Sequence, residues 1–238
     1  MLSIDQGMLV YNLFLEYAPG GSLLDLMIEK YGGYIPECEA KCYARMLLEG
    51  VRDIQQRGCV HCALKPANIL VYPPDQYGSI NSLKIADFGL ARLPGDRDMA
   101  EVGTFPGTPV YMPPETVFDG KISAALDIWS LGCIVLEMIT GKTTMGISGP
   151  EAFGDQDCIF EISTKKTQTM SSTGKDLLMK CFARDPSERW TADMLLSHPF
   201  TLPEYPLWPS PTKSLHHAQV DSCPPSMVEL DDVCLAIF

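Results

Sequence analysis

The sequence predicts an α+β fold, mainly helical, with a few strands gathered toward its N-terminal end. Three observations carry this. Apolar residues recur at three- and four-residue steps between Pro36 and Gly58. Residues 123–140, SAALDIWSLGCIVLEMIT, are apolar almost all round. Short runs rich in aliphatic and aromatic side chains fall within the first 86 positions. At 238 residues and 46% hydrophobic, the chain can bury one sizeable core, or a core plus a tail.

Each element has a local reason. Residues 9–17, LVYNLFLEY, read as a buried strand, and APGGS at 18–22 ends it with turn residues. LLDLMIEKYGG is a short helix with a glycine stop. Pro36 suits a first helical turn, where Glu37 and Glu39 complement the helix dipole. Ala40, Ala44, Leu47, Val51 and Ile54 then mark the buried face of an amphipathic helix ending near Gly58. Strand-like pieces within 60–72 and 80–86 surround the turn-rich PPDQYGS. Residues 87–122 hold many Gly and Pro and little period, as a long functional loop would. The apolar run 123–140 is a buried helix stopped at Gly141. Residues 141–172 are irregular, and KDLLMKCF and TADMLLSHPF supply two further helices. From Thr201 to Phe238, repeated prolines without helical period predict a poorly ordered acidic tail.

Charge and composition exclude several classes. A net charge of -12 with no local basic patch argues against nucleic acid or an anionic membrane as partner. The first segment, MLSIDQGMLVYNLFLEY, has no basic n-region and is interrupted by Asp5, Gln6, Asn12 and Glu16, so neither a signal peptide nor a membrane span is expected there. The apolar run from Ile128 to Ile139 is too short to cross a bilayer and carries Glu137. Nine cysteines without an export signal read as reduced thiols.

The chemistry-bearing stretches come in a fixed order. VHCALKPANIL spans 60–70. Asp87-Phe88-Gly89 follows, then GTPVYMPPE at 107–115, DIWSLGC at 127–133, and Arg189 within DPSERW. Any one of these is cheap, but the ordered set resembles the eukaryotic protein kinases. LVYNLFLEYAPGGSL, VHCALKPANIL, GTPVYMPPE and RWTADMLLSHPF are most similar to the serine/threonine kinases of plants called mitogen-activated protein kinase kinase kinases, over roughly residues 7–200. The resemblance implies a protein-kinase-like α+β fold. Residues 1–17 would be a remnant of small-lobe strands four and five. Residues 18–200 would form a helical large lobe, with a catalytic loop at 60–70 and an activation segment at 87–115. Residues 201–238 are the tail.

The resemblance also implies roles. The activity would be ATP-dependent phosphorylation of protein Ser/Thr, with a MAP kinase kinase as substrate and Mg2+ as cofactor. Asp87 and Asn68 would hold magnesium with hard oxygen ligands, and Lys65 would stabilise the charge of the transferring phosphate. Glu16 and Ala18 would meet the adenine edge, with Leu15 behind the base and Leu70 beneath it. Thr108 would mark serine/threonine specificity, and Thr104 is a candidate phosphorylation site. His61, Phe88, Glu115, Asp127 and Arg189 would be structural. Phe88 would pack on His61, Asp127 would receive backbone N–H groups near His61 and Cys62, and Glu115 would pair with Arg189.

Departures from the family pattern change the expectation. Ala63 stands where these kinases carry the catalytic aspartate, and a methyl cannot take a proton. Residues 1–238 contain no Gly-rich loop, strand-three lysine or helix-C glutamate, so a truncated large lobe with weak ATP binding is expected. Pro113 replaces the usual small residue of the closing triplet, and Cys62 replaces a common arginine. The expected outcome is an inactive or strongly impaired kinase domain. The alternative is a pseudokinase-like scaffold or competitor that binds kinase substrates. A third reading is a structural zinc module through Cys38, Cys42, Cys59 and Cys62. The uncovered small-lobe face, Leu9 to Leu15 with Leu70 and Phe88, is expected to self-associate or bind chaperones. The resemblance implies a cytoplasmic or nuclear location.

Overall fold

Within the residues that the computed structural model describes (2–5, 8–11, 14–74, 80–93, 107–143 and 170–202), ten elements follow in order. They are β1 (Leu2–Asp5), β2 (Met8–Tyr11), α1 (Leu23–Glu29), α2 (Glu37–Gln56), β3 (Ile69–Tyr72), β4 (Ser82–Ile85), α3 (Pro114–Asp119), α4 (Ala124–Thr140), α5 (Ser172–Cys181) and α6 (Ala192–Leu196). Single 3-10 turns lie at Pro66–Asn68 and Pro109–Tyr111. The fold is α+β and mainly helical.

Helix α2 buries Ala40, Tyr43, Ala44, Leu47, Leu48, Val51 and Ile54, the face its three- and four-residue steps define. Helix α4 is buried from Leu126 to Ile139 and forms the centre of the lobe. It packs against α2 on one side and α5 on another, while α6 closes over α2. Gly132 lets α5 approach closely, since a Cβ there would lie 2.7 Å from the Cβ of Cys181. Gly141, at φ 67, ends α4 and donates to the Glu137 carbonyl. Fully burying each Leu or Ile of this core contributes about 1.5–3 kcal/mol. A charged residue inside it therefore needs partners.

The strands form two antiparallel pairs. β1 and β2 pair with Leu2 opposite Tyr11. β3 and β4 pair with Ile69 opposite Ile85, and Ile69 and Val71 turn inward. Ser22 opens α1 with a capping box, accepting from the Asp25 N–H while its own N–H donates to Asp25 Oδ2 at 2.9 Å. The turn before it is tied to β3: Gly20 N–H donates to the Val71 carbonyl at 3.0 Å, and Val71 N–H to the Gly21 carbonyl at 2.9 Å.

Two sequence expectations need correction. The strand expected over 9–17 ends at Tyr11, and Phe14 to Ala18 carry no regular structure. Phe14, Leu15 and Tyr17 are exposed rather than buried. High β propensity yields a buried strand only where neighbours take up both faces, and no described strand flanks these residues. The loop expected over 87–122 contains a 3-10 turn and α3. Helix α3 opens on Pro114, takes Glu115 in its first turn and ends at Gly120 in the left-handed conformation. Those are ordinary start and stop signals, hidden in a Gly- and Pro-rich context. Residues 144–169 and the tail from 203 lie outside the described residues.

Candidate functional site

The site is built where the segment after α2 crosses the first turn of α4. Asp127 is fully buried there. Its Oδ2 accepts the His61 N–H at 2.8 Å and its Oδ1 the Cys62 N–H at 3.0 Å. Burial pushes its carboxyl up to about 7, against the pull of those two donors. The segment bends sharply at this anchor. Cys62 sits at φ 64, a left-handed conformation that costs a non-glycine residue about 1–2 kcal/mol. Strain of this kind persists only where surrounding contacts hold it. The Cys62 thiol is itself buried, which pushes it up to about 12 and leaves it inert.

His61 continues the scaffold. Its Nδ1 accepts the Ala63 N–H at 3.2 Å, and its Nε2 faces the Ala86 carbonyl at 3.1 Å. An accepting Nδ1 makes Nε2–H the donor and the ring neutral, and burial also pushes the imidazole below its usual range. Phe88 stacks edge-on against the ring, centroids 4.7 Å apart. His61 is thus enclosed by backbone and Phe88, which is an orienting role.

These contacts tie the backbone that carries Asp87 to the backbone that carries Asn68. The Ala86 N–H donates to the Asn68 carbonyl at 2.9 Å, while the Ala86 carbonyl is held by His61. Asp87 therefore follows directly from a fixed point beside Asn68. Asp87 is exposed at φ 67, another strained position. Asn68 is buried, and its Nδ2 donates to the Ala63 carbonyl at 3.0 Å. That bond orients the amide and leaves its Oδ1 to accept or ligate. Asp87 carboxylate and Asn68 carbonyl are the hard oxygens magnesium prefers, and magnesium keeps several waters and phosphate oxygens besides. The donor set fits that ion.

Ala63, whose carbonyl accepts from Asn68 Nδ2, is buried and contributes only a methyl. Lys65, half-buried, reaches Thr108 with Nζ 3.4 Å from Oγ1. Gly107, beside Thr108, has φ 103, and a Cβ there would meet the Cys62 carbonyl oxygen at 2.7 Å. The segment Gly107–Thr108 thus lies directly on the 60–70 loop.

A second anchor holds that segment. Arg189 is fully buried and bidentate to Glu115, at 2.7 Å to Oε1 and 3.3 Å to Oε2. Its remaining N–H groups donate to the carbonyls of Ala125 and Ala183, and the guanidinium lies over Trp129. The sequence reading passed over a third anchor. Glu137, buried in α4, accepts from the Tyr111 hydroxyl at 2.7 Å, and Ser130 Oγ donates to the Tyr111 carbonyl at 2.7 Å. Burial raises both the Glu137 carboxyl and the Tyr111 phenol. An acid in an otherwise apolar helix was the available signal.

The other expected site residues lie on other segments. Leu15 and Glu16 are exposed and Ala18 is half-buried on the irregular segment, and Glu16 pairs with Lys84 at 2.6 Å. Leu70, half-buried on β3, bridges to Ser22. Thr104 lies outside the described residues. The four-thiol zinc reading is corrected. Cys38 and Cys42 are exposed on α2, whereas Cys62 is buried in the loop with its Sγ 3.5 Å from the Val60 carbonyl. Among the described residues no three His, Cys, Asp or Glu side chains form a metal-binding group.

Comparison with known proteins agrees with this geometry. A family model described as a protein kinase domain matches residues 5–201. The chain is 40% identical over 208 residues to mitogen-activated protein kinase kinase kinase 20 of Arabidopsis thaliana, covering 83% of this chain and 58% of that protein. It is 38% identical over 197 residues to mitogen-activated protein kinase kinase kinase ANP1 of the same plant, covering 80% and 28%. It is 36% identical over 205 residues to MAP kinase kinase kinase wis4 of Schizosaccharomyces pombe, covering 79% and 14%. The chain therefore spans between about a seventh and three fifths of these relatives' lengths.

Proposed function

The chain belongs to the protein kinase family, and we propose that residues 1–238 form a serine/threonine-kinase-type domain whose reaction loop is assembled but strongly impaired. One observation carries the impairment: Ala63, buried in the loop with its carbonyl accepting from Asn68 Nδ2, offers no proton acceptor. General-base catalysis is worth about 10²–10⁴ in rate, so this loss alone cripples turnover without removing the site. ATP and Mg2+ are the proposed ligands, with Asp87 and Asn68 as the metal-holding oxygens. Magnesium there would neutralise phosphate charge. Lys65 would bind the transferring phosphate, and Thr108, 3.4 Å from it, would orient the incoming hydroxyl. The relatives' names support a MAP kinase kinase as the protein substrate. A cytoplasmic or nuclear location rests on the family resemblance.

The retained anchors favour a second reading. Asp127 still fixes the loop and Arg189 still fixes Glu115, so a substrate-binding surface could serve a non-catalytic scaffold or competitor.

The test is phosphoryl transfer from magnesium-ATP to the chain itself and to a kinase-kinase substrate. Residues 1–238 are expected to give no signal above that of Asp87→Ala. Ala63→Asp alone is expected to leave this unchanged in the same polypeptide, whose sequence holds no Gly-rich phosphate loop. Robust transfer by the unmodified chain, abolished by Asp87→Ala, would overturn the impaired reading.

A further inference from the structure

Glu16 and Leu70 lie on separate segments, and one side chain joins them. Lys84 on β4 stands directly opposite Leu70 on β3. The two side chains therefore share a face of the strand pair, as does Tyr72, two positions beyond Leu70. Ile69, Val71 and Ile85 take the other face, into the core. Leu70, Tyr72 and Lys84 are half-buried on the outer face. There the Lys84 Nζ lies 4.5 Å from the centre of the Tyr72 ring and 2.6 Å from Glu16 Oε2.

This contact fixes a segment without regular structure, Phe14 to Ala18. The chain just beyond that segment is already tied down, since Gly20 and Gly21 bond to Val71 and Ser22 bridges to Leu70. From Phe14 to Tyr17, the Glu16–Lys84 pair is the one side-chain bond to another described residue. Lys84 is the better held partner. Its side chain is 29% exposed against 55% for Glu16, and the aromatic face beneath it favours a cation. Lys84 thus presents a charge already in place, and Glu16 pairs with it at a reduced cost in side-chain entropy.

On the ATP reading, Leu15, Glu16 and Ala18 would border the base and Leu70 would lie beneath it. We propose that Lys84 is a positioning residue for the purine: by holding Glu16, it keeps Phe14–Ala18 against the face that carries Leu70. The proposal rests on the ATP reading and adds to it a residue outside the metal-holding and phosphate-binding groups. Its signature lies in which ligands respond. A cation that only attracted phosphate would act on any polyphosphate. A cation that orders the purine border acts equally on a ligand with no phosphate at all.

The experiment is titration of the full chain with adenosine, magnesium-ATP and magnesium tripolyphosphate, followed by ligand-observed NMR, which reads weak affinities. Comparison proteins are Lys84→Met, Lys84→Arg, Glu16→Gln and the Lys84→Met, Glu16→Gln double variant, each checked for folding by circular dichroism. Lys84→Met and Glu16→Gln are each expected to weaken adenosine and ATP by about two- to five-fold, the range of a half-exposed ion pair, and to leave tripolyphosphate unchanged. Lys84→Arg is expected to keep the native affinity, and the double variant to lose no more than either single one. Unchanged adenosine affinity in Glu16→Gln would overturn the proposal, and that variant serves even if Lys84→Met fails to fold. A loss for tripolyphosphate as large as that for adenosine would also overturn it. An unmodified chain that binds neither adenosine nor ATP would instead overturn the ATP reading, and the proposal with it.

Discussion

Replacing Arg189 by alanine removes a buried cation that donates to Glu115, Ala125 and Ala183, and the structure sets the size of the effect. The guanidinium is fully buried, and Glu115 opposite it is only 11% exposed. The substitution strands that carboxylate, frees the Ala125 and Ala183 carbonyls and uncovers one face of Trp129. Breaking a buried pair from one side costs about 3–5 kcal/mol. In a domain of this size, 1 kcal/mol moves the melting temperature about 2–4 °C, so a fall of roughly 6–20 °C is expected. The assay is thermal unfolding followed by circular dichroism, with Lys30→Ala as a surface control. A double-mutant cycle with Glu115→Ala isolates the pair, because the doubly substituted chain no longer buries an unpaired charge and is expected to lose less than the sum of the single losses. An Arg189→Ala shift no larger than that of Lys30→Ala would refute the buried anchor.

Three further outcomes follow from the structure. Asp127→Asn leaves one carbonyl oxygen for two N–H donors, so one of the His61 and Cys62 amides is expected to exchange hydrogen about 10–100-fold faster, as a lost buried hydrogen bond implies. Asp127 also sets a pH dependence. Its carboxyl rises from 3.8 to about 7 on burial, so the folded chain holds that proton more tightly between those values. Its contribution to stability therefore falls as pH rises from about 4 to about 7, by at most about 1.4 kcal/mol per unit, and is flat above. Urea unfolding from pH 5 to pH 8 should show this slope in the native chain and lose it in Asp127→Asn; equal slopes would contradict it. The exposed Phe14, Leu15 and Tyr17 are proposed to drive self-association or chaperone binding. Light scattering should show larger species for the unmodified chain at tens of micromolar than for Leu15→Lys, and a monodisperse unmodified monomer would refute this.

What the sequence made legible was what local pattern decides. The limits of α4 follow from an apolar run closed by Gly141, and the inner face of α2 from its residue steps. Helix α3 was hidden because Pro113, Pro114 and Gly120 look like loop chemistry until Pro114 is placed at a helix start. The end of β2 at Tyr11 was not legible, since LVYNLFLEY has uniform β propensity and only neighbours decide where a strand stops. In the site, local pattern supplied the residues, while the contacts of Asp127 with the His61 and Cys62 amides, of Phe88 with His61 and of Glu115 with Arg189 came from the family resemblance alone, and the structure shows all three. Asp127 lies 66 positions from His61, and nothing local joins them. Gly107, at φ 103, rests on the Cys62 carbonyl, where a Cβ would lie 2.7 Å from the oxygen, and no local pattern reveals that contact. The pairing of Tyr111 with Glu137 escaped for the same reason, although an acid within a buried helix calls for a donor.

The central claim is that the loop is held in working geometry and lacks only its proton acceptor. Its most direct measurement compares Ala63 with Ala63→Asp in chains joined at residue 1 to the Gly-rich small lobe of a kinase relative. Initial rates of phosphoryl transfer from magnesium-ATP to a kinase-kinase substrate are the readout. The account predicts that the aspartate form is faster by about 10²–10⁴, the usual worth of a positioned base, and that Asp87→Ala abolishes the gain. Equal rates for the two fused chains, each binding nucleotide, would show that the loop is misassembled or that Ala63 is not the missing element.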